Sequence, residues 1–140
     1  MNFLFVDDEK AFLDTLAKRM KKRGLSPSSV YGGEEALSFL ADHPKTDVVV
    51  LDVKMPGMDG LETLTEIKAQ FPLVEVVMLT GHATVDSAIE GMKLGAFDYM
   101  MKPCDLDQLI EKLEGAAAKK KAQEEKIMEA RLREIAGKRV

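Results

Sequence analysis

The chain has 140 residues, of which 46% are hydrophobic and 31% are charged. This length allows one compact domain with a short appendage, and the composition excludes both a membrane-embedded protein and a wholly disordered chain. The formal net charge of −4 is uneven: residues 115–140 carry eight Lys or Arg and four Asp or Glu, a net +4, which leaves −8 on residues 1–114. The single cysteine, Cys104, excludes an internal disulfide framework. The sequence shows neither a secretory leader nor a spanning apolar segment, so we expect a cytoplasmic protein.

Strand and helix patterns alternate along the chain. Apolar or β-branched runs predict five strands, at residues 3–6, 26–30, 47–51, 75–80 and 96–101. The second strand contains Pro27, which cannot donate to a sheet ladder, so we expect it at a sheet edge. Apolar residues at helical spacing mark five helices: Phe12, Leu16 and Met20; Ala36, Leu37, Leu40 and Ala41; Leu61, Leu64, Ile67 and Phe71; Val85, Ala88, Ile89 and Met92; and Leu106, Leu109, Ile110 and Leu113. We expect the second set, including Ala41, on a buried helix face.

This alternation predicts an α/β fold. Parallel strands need crossover connections that helices can supply, so five strand–helix units imply an open, mostly parallel, doubly wound sheet. Function in such a sheet concentrates at the carboxyl ends of the strands. The residues at those ends are Asp7 and Asp8, Asp52, Thr80 and Lys102. The sequence therefore predicts a cleft that holds three carboxylates, a hydroxyl and an ammonium group.

The charges of this predicted cleft require a cation. Three carboxylates and one lysine sum to −2, and carboxylates this close raise one another's pKa unless a cation intervenes. A divalent metal would bring the sum to zero. Mg²⁺ suits the hard oxygen ligands best, whereas zinc would favour imidazole or thiolate groups that the cleft lacks.

Four motifs stand in order at these strand ends: VDDE, LDVKMPGMDG, VVMLTG and DYMMKP. Together they resemble the phosphoacceptor receiver domain of bacterial two-component response regulators, over residues 1–114. The resemblance implies a flavodoxin-like, doubly wound sheet of five parallel strands in the order 2-1-3-4-5, with five helices. Residues 115–140 would form a basic, helical C-terminal extension of the last helix, because they contain strong helix formers and no proline.

The resemblance also implies a role for each residue of the cleft. Asp52 would be the nucleophile that accepts a phosphoryl group from a phosphohistidine on a sensor histidine kinase or phosphotransfer protein. Asp8, Asp52 and the backbone carbonyl of Lys54 would hold Mg²⁺ directly. Asp7 would act through a metal-bound water, and Lys102 would pair with the phosphoryl oxygens.

A switch follows from the same resemblance. Thr80 would donate its hydroxyl to a phosphoryl oxygen and, by moving inward, vacate space for Tyr99, the expected switch aromatic. Tyr99 is otherwise a half-buried strand aromatic. The output would be protein contact through the face formed by the fourth helix, fifth strand and fifth helix.

Other positions would modulate the reaction; they are Lys54, Gly81, His82 and Pro103. Pro103 suggests a cis peptide that aims Lys102 inward, and Gly81 leaves the cleft open. The side chains of Lys54 and His82 would line the entrance to the phosphoryl group, although simple solvation explains them equally well.

The predicted function is that of a stand-alone, single-domain response regulator, a signalling phosphoacceptor rather than an enzyme. Three alternatives remain open. A receiver-like module could bind partners without being phosphorylated. A phosphatase-like hydrolase with an aspartyl nucleophile would usually carry a second acid where this chain has Lys54. A flavodoxin-like cofactor binder would need a phosphate loop where this chain has an acidic cluster.

The C-terminal extension has two open interpretations. Its apolar residues are too sparse for a sustained coiled coil; they are Ile127, Met128, Leu132 and Ile135. A solvated helix and a helix that packs on a partner or a second copy are both compatible with this pattern. We expect no direct binding to nucleic acid, because four Glu residues interrupt the basic run and the acidic body would repel phosphates. We expect no membrane association.

Overall fold

The computed structural model describes residues 1–81 and 84–138, which form one parallel sheet with helices on both faces. The strands are β1 (Phe3–Val6), β2 (Ser28–Val30), β3 (Val48–Leu51), β4 (Glu75–Thr80) and β5 (Asp98–Met101). The helices of this part of the chain are α1 (Lys10–Lys22), α2 (Gly33–Asp42), α3 (Gly60–Gln70), α4 (Val85–Lys93) and α5 (Leu106–Gly137). The strand order β2-β1-β3-β4-β5 confirms the predicted order and the flavodoxin-like fold.

The core lies on both sides of the sheet and follows the two-residue period of its strands. Along β1, Phe5 packs with apolar residues of α1 and α5, whereas Leu4 packs with those of α2 and α3 on the opposite face. β1, β3 and β4 are buried along their whole length, as strands covered on both faces must be. β2 begins at Ser28, directly after Pro27, and lies at the sheet edge as predicted.

The apolar stripe of α4 faces away from the sheet. Val85, Ile89 and Met92 are 76%, 49% and 48% exposed, so they mark the helix but do not pack in the core. The opposite side of α4 meets the sheet through Gly91, where an added Cβ would lie 3.7 Å from the Tyr99 ring. Because α4 covers the edge strand β5, only a narrow side of the helix has sheet beneath it.

Two details of the predicted elements were wrong. Ala41 is exposed, because it lies about 100° around the helix from Leu40, which occupies the buried face together with Ala36. The strands predicted to start at residues 26, 47 and 96 start one or two residues later, since the preceding residues belong to the connecting turns.

α5 is 32 residues long and continues past the sheet. Its buried residues run from Leu106 to Lys120, whose ammonium lies 3.2 Å from the Asp47 carboxylate. Beyond Lys120 its apolar side chains are exposed; they are Ile127, Met128, Leu132 and Ile135. None of the helices in the described part of the chain is both long and apolar enough to cross a membrane.

Candidate phosphoacceptor site

Three carboxylates meet at the carboxyl edge of the sheet. β1 and β3 are neighbours with Val6 opposite Leu51, so the residues that follow the two strands lie side by side. The Asp52 amide donates a hydrogen bond to the Val6 carbonyl at 3.1 Å. One carboxylate oxygen from each of Asp7, Asp8 and Asp52 lies within 4.8 Å of the other two. Asp7 and Asp52 are buried, whereas Asp8 is exposed and opens the cluster to solvent.

Lys102 brings a positive charge to this cluster from the end of β5. Its backbone amide donates to the Thr80 carbonyl at 2.9 Å, which fixes the start of the segment that follows the strand. The Lys102 ammonium lies 2.5 Å from Asp7 Oδ2 and 3.9 Å from Asp52 Oδ2. The peptide bond between Lys102 and Pro103 is cis.

Burial and the neighbouring charges shift the pKa values of Asp7 and Lys102. Burial raises the pKa of Asp7, and although the hydrogen bond from Lys102 opposes this, the charge of Asp52 adds to the increase. Burial alone would lower the pKa of Lys102, but the hydrogen bond to Asp7 and the surrounding carboxylates outweigh it and raise that pKa. The lysine does not balance three carboxylates, so the cluster favours a further cation. Its oxygen ligands fit a hard divalent metal ion.

Asp52 is buried, and one of its two carboxylate oxygens is hydrogen-bonded. Its side chain is 1% exposed, and Oδ1 accepts a hydrogen bond from the Val53 amide at 2.8 Å. Oδ2 is left on the side of Lys102. The Lys54 side chain is exposed and lines an open cleft with Asp8 and Asp59.

Thr80 and Gly81 lie at the carboxyl end of β4. Thr80 is fully buried and pairs in register with Met101 of β5. Gly81 is exposed, and an added Cβ would have no described neighbour within 4 Å, so this side of the cleft is open. His82, which we expected to modulate the reaction, lies outside the described residues.

Tyr99 points to α4 rather than to the acidic cluster. Its ring is half-buried, and its hydroxyl oxygen lies 3.0 Å from Ser87 Oγ. Ser87 also belongs to the capping box that starts α4: Thr84 Oγ1 accepts from the Ser87 amide, and Ser87 Oγ accepts from the Thr84 amide, both at 3.0 Å. Ser87 was not predicted from the sequence, because the usual capping box carries Glu or Gln at this position.

Two further residues near Lys102 were also missed. The Lys102 ammonium lies 3.4 Å from Glu9 Oε1 and 4.0 Å from the centroid of the Phe12 ring. Glu9 directly follows Asp7 and Asp8 in the sequence, so its position next to the cleft could have been predicted. Phe12 was identified only as an apolar helix residue, because nothing in the local sequence connects it with a lysine 90 residues away.

The sequence matches the response regulator receiver domain family over residues 3–114. The chain belongs to this family. An NtrX-like response regulator from Rickettsia bellii is 36% identical to this receiver over 129 residues, which are 91% of this chain and 27% of that protein. The receiver therefore spans about a quarter of the length of this curated relative.

Solved structures share the receiver fold. A receiver domain from Clostridium thermocellum superposes with a TM-score of 0.81 at 33% identity, covering 87% of this chain and 98% of that one. A response regulator protein from Burkholderia pseudomallei, solved with a phosphorylated aspartic acid, a calcium ion and citrate, superposes with a TM-score of 0.73. It is 29% identical, and the match covers 88% of this receiver and 72% of that chain.

Proposed function

We propose that this receiver accepts a phosphoryl group on Asp52 from the phosphohistidine of a sensor histidine kinase or phosphotransfer protein. The observation that carries the proposal is the position of the Asp52 carboxylate, within 4.8 Å of Asp7 and Asp8 and 3.9 Å from the Lys102 ammonium. Membership of the receiver family supports it. The phosphorylated aspartic acid of the Burkholderia pseudomallei relative supports it further. The protein would act as a signalling phosphoacceptor rather than an enzyme.

The reaction uses the charge of Asp52. A carboxylate oxygen attacks phosphorus, a P–O bond forms and the P–N bond to the donor imidazole breaks. The leaving nitrogen keeps the bonding electron pair and takes up a proton from solvent. Because the Val53 amide holds Oδ1, Oδ2 is the oxygen that faces Lys102. Lys102 would then bind one phosphoryl oxygen, and the Thr80 hydroxyl would donate to another.

We assign the acidic cluster to Mg²⁺. Asp8, Asp52 and the backbone carbonyl of Lys54 would hold the ion directly, and Asp7 would hold it through a bound water. When bound, Mg²⁺ supplies positive charge against the oxygens of the transferring phosphoryl group. The exposure of Asp8 leaves a route by which the ion enters the cluster.

Phosphorylation would be read out through Thr80 and Tyr99. A dianionic phosphoryl group in place of a carboxylate creates a new hydrogen-bond demand at Thr80. Inward movement of Thr80 would vacate space for Tyr99. Since the Tyr99 hydroxyl contacts Ser87 at 3.0 Å, a change of Tyr99 would also disturb the first turn of α4.

The output surface in this proposal is the face of α4, β5 and α5, and its occupant is a downstream protein. Its exposed apolar side chains include Val85, Ile89, Met92 and Met101. We place the receiver at residues 1–114 and an extension at 115–140, where an apolar stripe is available to a second copy. Direct binding of nucleic acid is not expected, since the receiver body carries a net −8.

The decisive experiment is labelling with a small phosphodonor. Phosphoramidate plus Mg²⁺ should add one hydroxylamine-sensitive phosphoryl group to the wild type, seen by intact-protein mass. Asp52→Asn should take up none, whereas the matched change Asp14→Asn, of an exposed carboxylate on α1, should label like the wild type. Equal labelling of Asp52→Asn would reject the assignment, and an unlabelled wild type would favour a module that binds partners without phosphorylation.

A further inference from the structure

We propose that Phe12 is a positioning residue for Lys102, and that it holds the ammonium in the cleft through the face of its ring. The Lys102 Nζ lies 4.0 Å from the ring centroid. A cation within about 6 Å of an aromatic face is attracted by the ring quadrupole, and the attraction grows when water is excluded. The inference rests on the proposed function, because it concerns a lysine assigned to phosphoryl transfer.

The local fold fixes the ring beside the lysine. α1 begins at Lys10, four residues after the end of β1, so Phe12 lies in the first turn of the helix. Phe12 is half-buried and packs against the core on the α1 and α5 side of the sheet. The Lys102 side chain is 12% exposed, so little water screens the ring from the ammonium.

The carboxylates cannot give Lys102 a constant position. Asp7 lies 2.5 Å from the ammonium and is proposed to hold the metal, and Asp52 lies 3.9 Å from it and is proposed to accept the phosphoryl group. Their attraction for Lys102 would therefore change during the reaction. Glu9, at 3.4 Å, is 59% exposed and therefore strongly screened. The Phe12 ring would bind neither metal nor phosphoryl group, so its attraction for the ammonium does not compete with either ligand.

This role can be separated from simple core packing. Leucine at position 12 keeps an apolar side chain but has no quadrupole, whereas tyrosine keeps both the ring and its face. A 3,4,5-trifluorophenylalanine at this position keeps the shape of the ring and removes most of the negative charge from its face. A packing role would tolerate the fluorinated ring; a cation–π role would not.

The experiment compares the full-length chain with Phe12→Leu, Phe12→Tyr and the trifluorinated residue. We expect the maximal rate of Asp52 labelling by phosphoramidate and Mg²⁺ to fall about threefold to tenfold in the leucine and trifluorinated proteins. The tyrosine protein should stay within about twofold of the wild type. The trifluorinated protein keeps the test valid if leucine disturbs the fold.

A spectroscopic signature accompanies the rates. In the wild type, with and without Mg²⁺, the ε-methylene protons of Lys102 should show an upfield ring-current shift that tyrosine retains and leucine abolishes. A labelled wild type with an equally fast trifluorinated protein would overturn the role of Phe12 alone, as would an absent ring-current shift. An unlabelled wild type would instead overturn the proposed function.

Discussion

The two edges of the sheet both hold carboxylates, but their negative charge is balanced in different ways. The amino edge pairs each acid with a lysine: Glu75–Lys119, Asp98–Lys112 and Asp47–Lys120, with N–O distances of 3.5, 2.6 and 3.2 Å. At the carboxyl edge Asp7, Asp8 and Asp52 cluster together, and Lys102 forms ion pairs with Asp7 and Asp52 of this cluster. One edge is neutralised by the chain itself, and the other is not.

The titrations of the two edges differ accordingly. At the amino edge, burial would raise the pKa of Asp98, but the hydrogen bond from Lys112, the hydrogen bond from the Tyr99 amide and the charge of Lys112 together outweigh it and lower that pKa. At the carboxyl edge, burial raises the pKa of Asp7 in spite of Lys102. Unbalanced charge in a fold is typical of a site that binds an ion or a charged ligand, and perturbed pKa values concentrate at functional sites for this reason.

The largest expected difference between the edges is in metal affinity. Asp8→Asn removes one of the three clustered carboxylates and should weaken Mg²⁺ binding at least tenfold, about the minimum loss expected for a metal site. Glu75→Gln removes a charge from the amino edge and should leave the affinity within about twofold, since the distance screens it. Amide NMR titration with MgCl₂ measures both. Equal losses in the two variants would contradict the contrast between the edges.

A second effect concerns stability without metal. Asp52→Asn should raise the free energy of unfolding in EDTA by about 1 kcal/mol, because it removes a like charge beside Asp7. Urea denaturation measures this change. Excess Mg²⁺ should stabilise the wild type more than the variant and close the gap. A variant less stable than the wild type in EDTA would show that the carboxyl edge carries no net repulsion.

The smallest expected effect tests the amino edge. Asp98 and Lys112 are partly exposed, so Asp98→Asn should cost only about 0.5 kcal/mol at neutral pH. Since the folded-state pKa of Asp98 lies below its ordinary 3.8, this stabilisation is present above that pH and is lost as the pH falls through the folded-state pKa. Urea unfolding of the variant and the wild type, at neutral pH and at a pH below the folded-state pKa of Asp98, checks this prediction. A difference between variant and wild type that persisted in acid would exclude the ion pair as its cause.

Much of the fold and of the site was predictable, because hydrophobic periodicity indicates the strands and helices and the residues at the strand ends indicate the site. Asp7, Asp8, Asp52 and Lys102 each follow a strand, so once the strands are parallel these residues must share one edge. The structure brings all four together, while their chemical roles stay predictions. The edge position of β2 followed from Pro27 alone.

Other features depend on tertiary contacts that a local pattern does not encode. Periodicity found α4 but not which side of it meets the sheet, because that depends on the edge position of β5. The contact between Phe12 and Lys102 joins the first and last strand–helix units, and the pair Ser87 and Tyr99 joins a helix to a strand. The local sequence gives no sign that Lys120 is buried, because its partner Asp47 is 73 residues away in the chain.

The outward stripe of α4 has a mechanical consequence. A helix anchored by leucines would lose about 2 kcal/mol for each one withdrawn from the core. In α4 the buried residue is Gly91, and the Ser87 hydroxyl contacts that of Tyr99 on β5. If α4 carries the output signal as proposed, it could tilt or slide without withdrawing a large apolar side chain, and the hydrophobic core would stay closed.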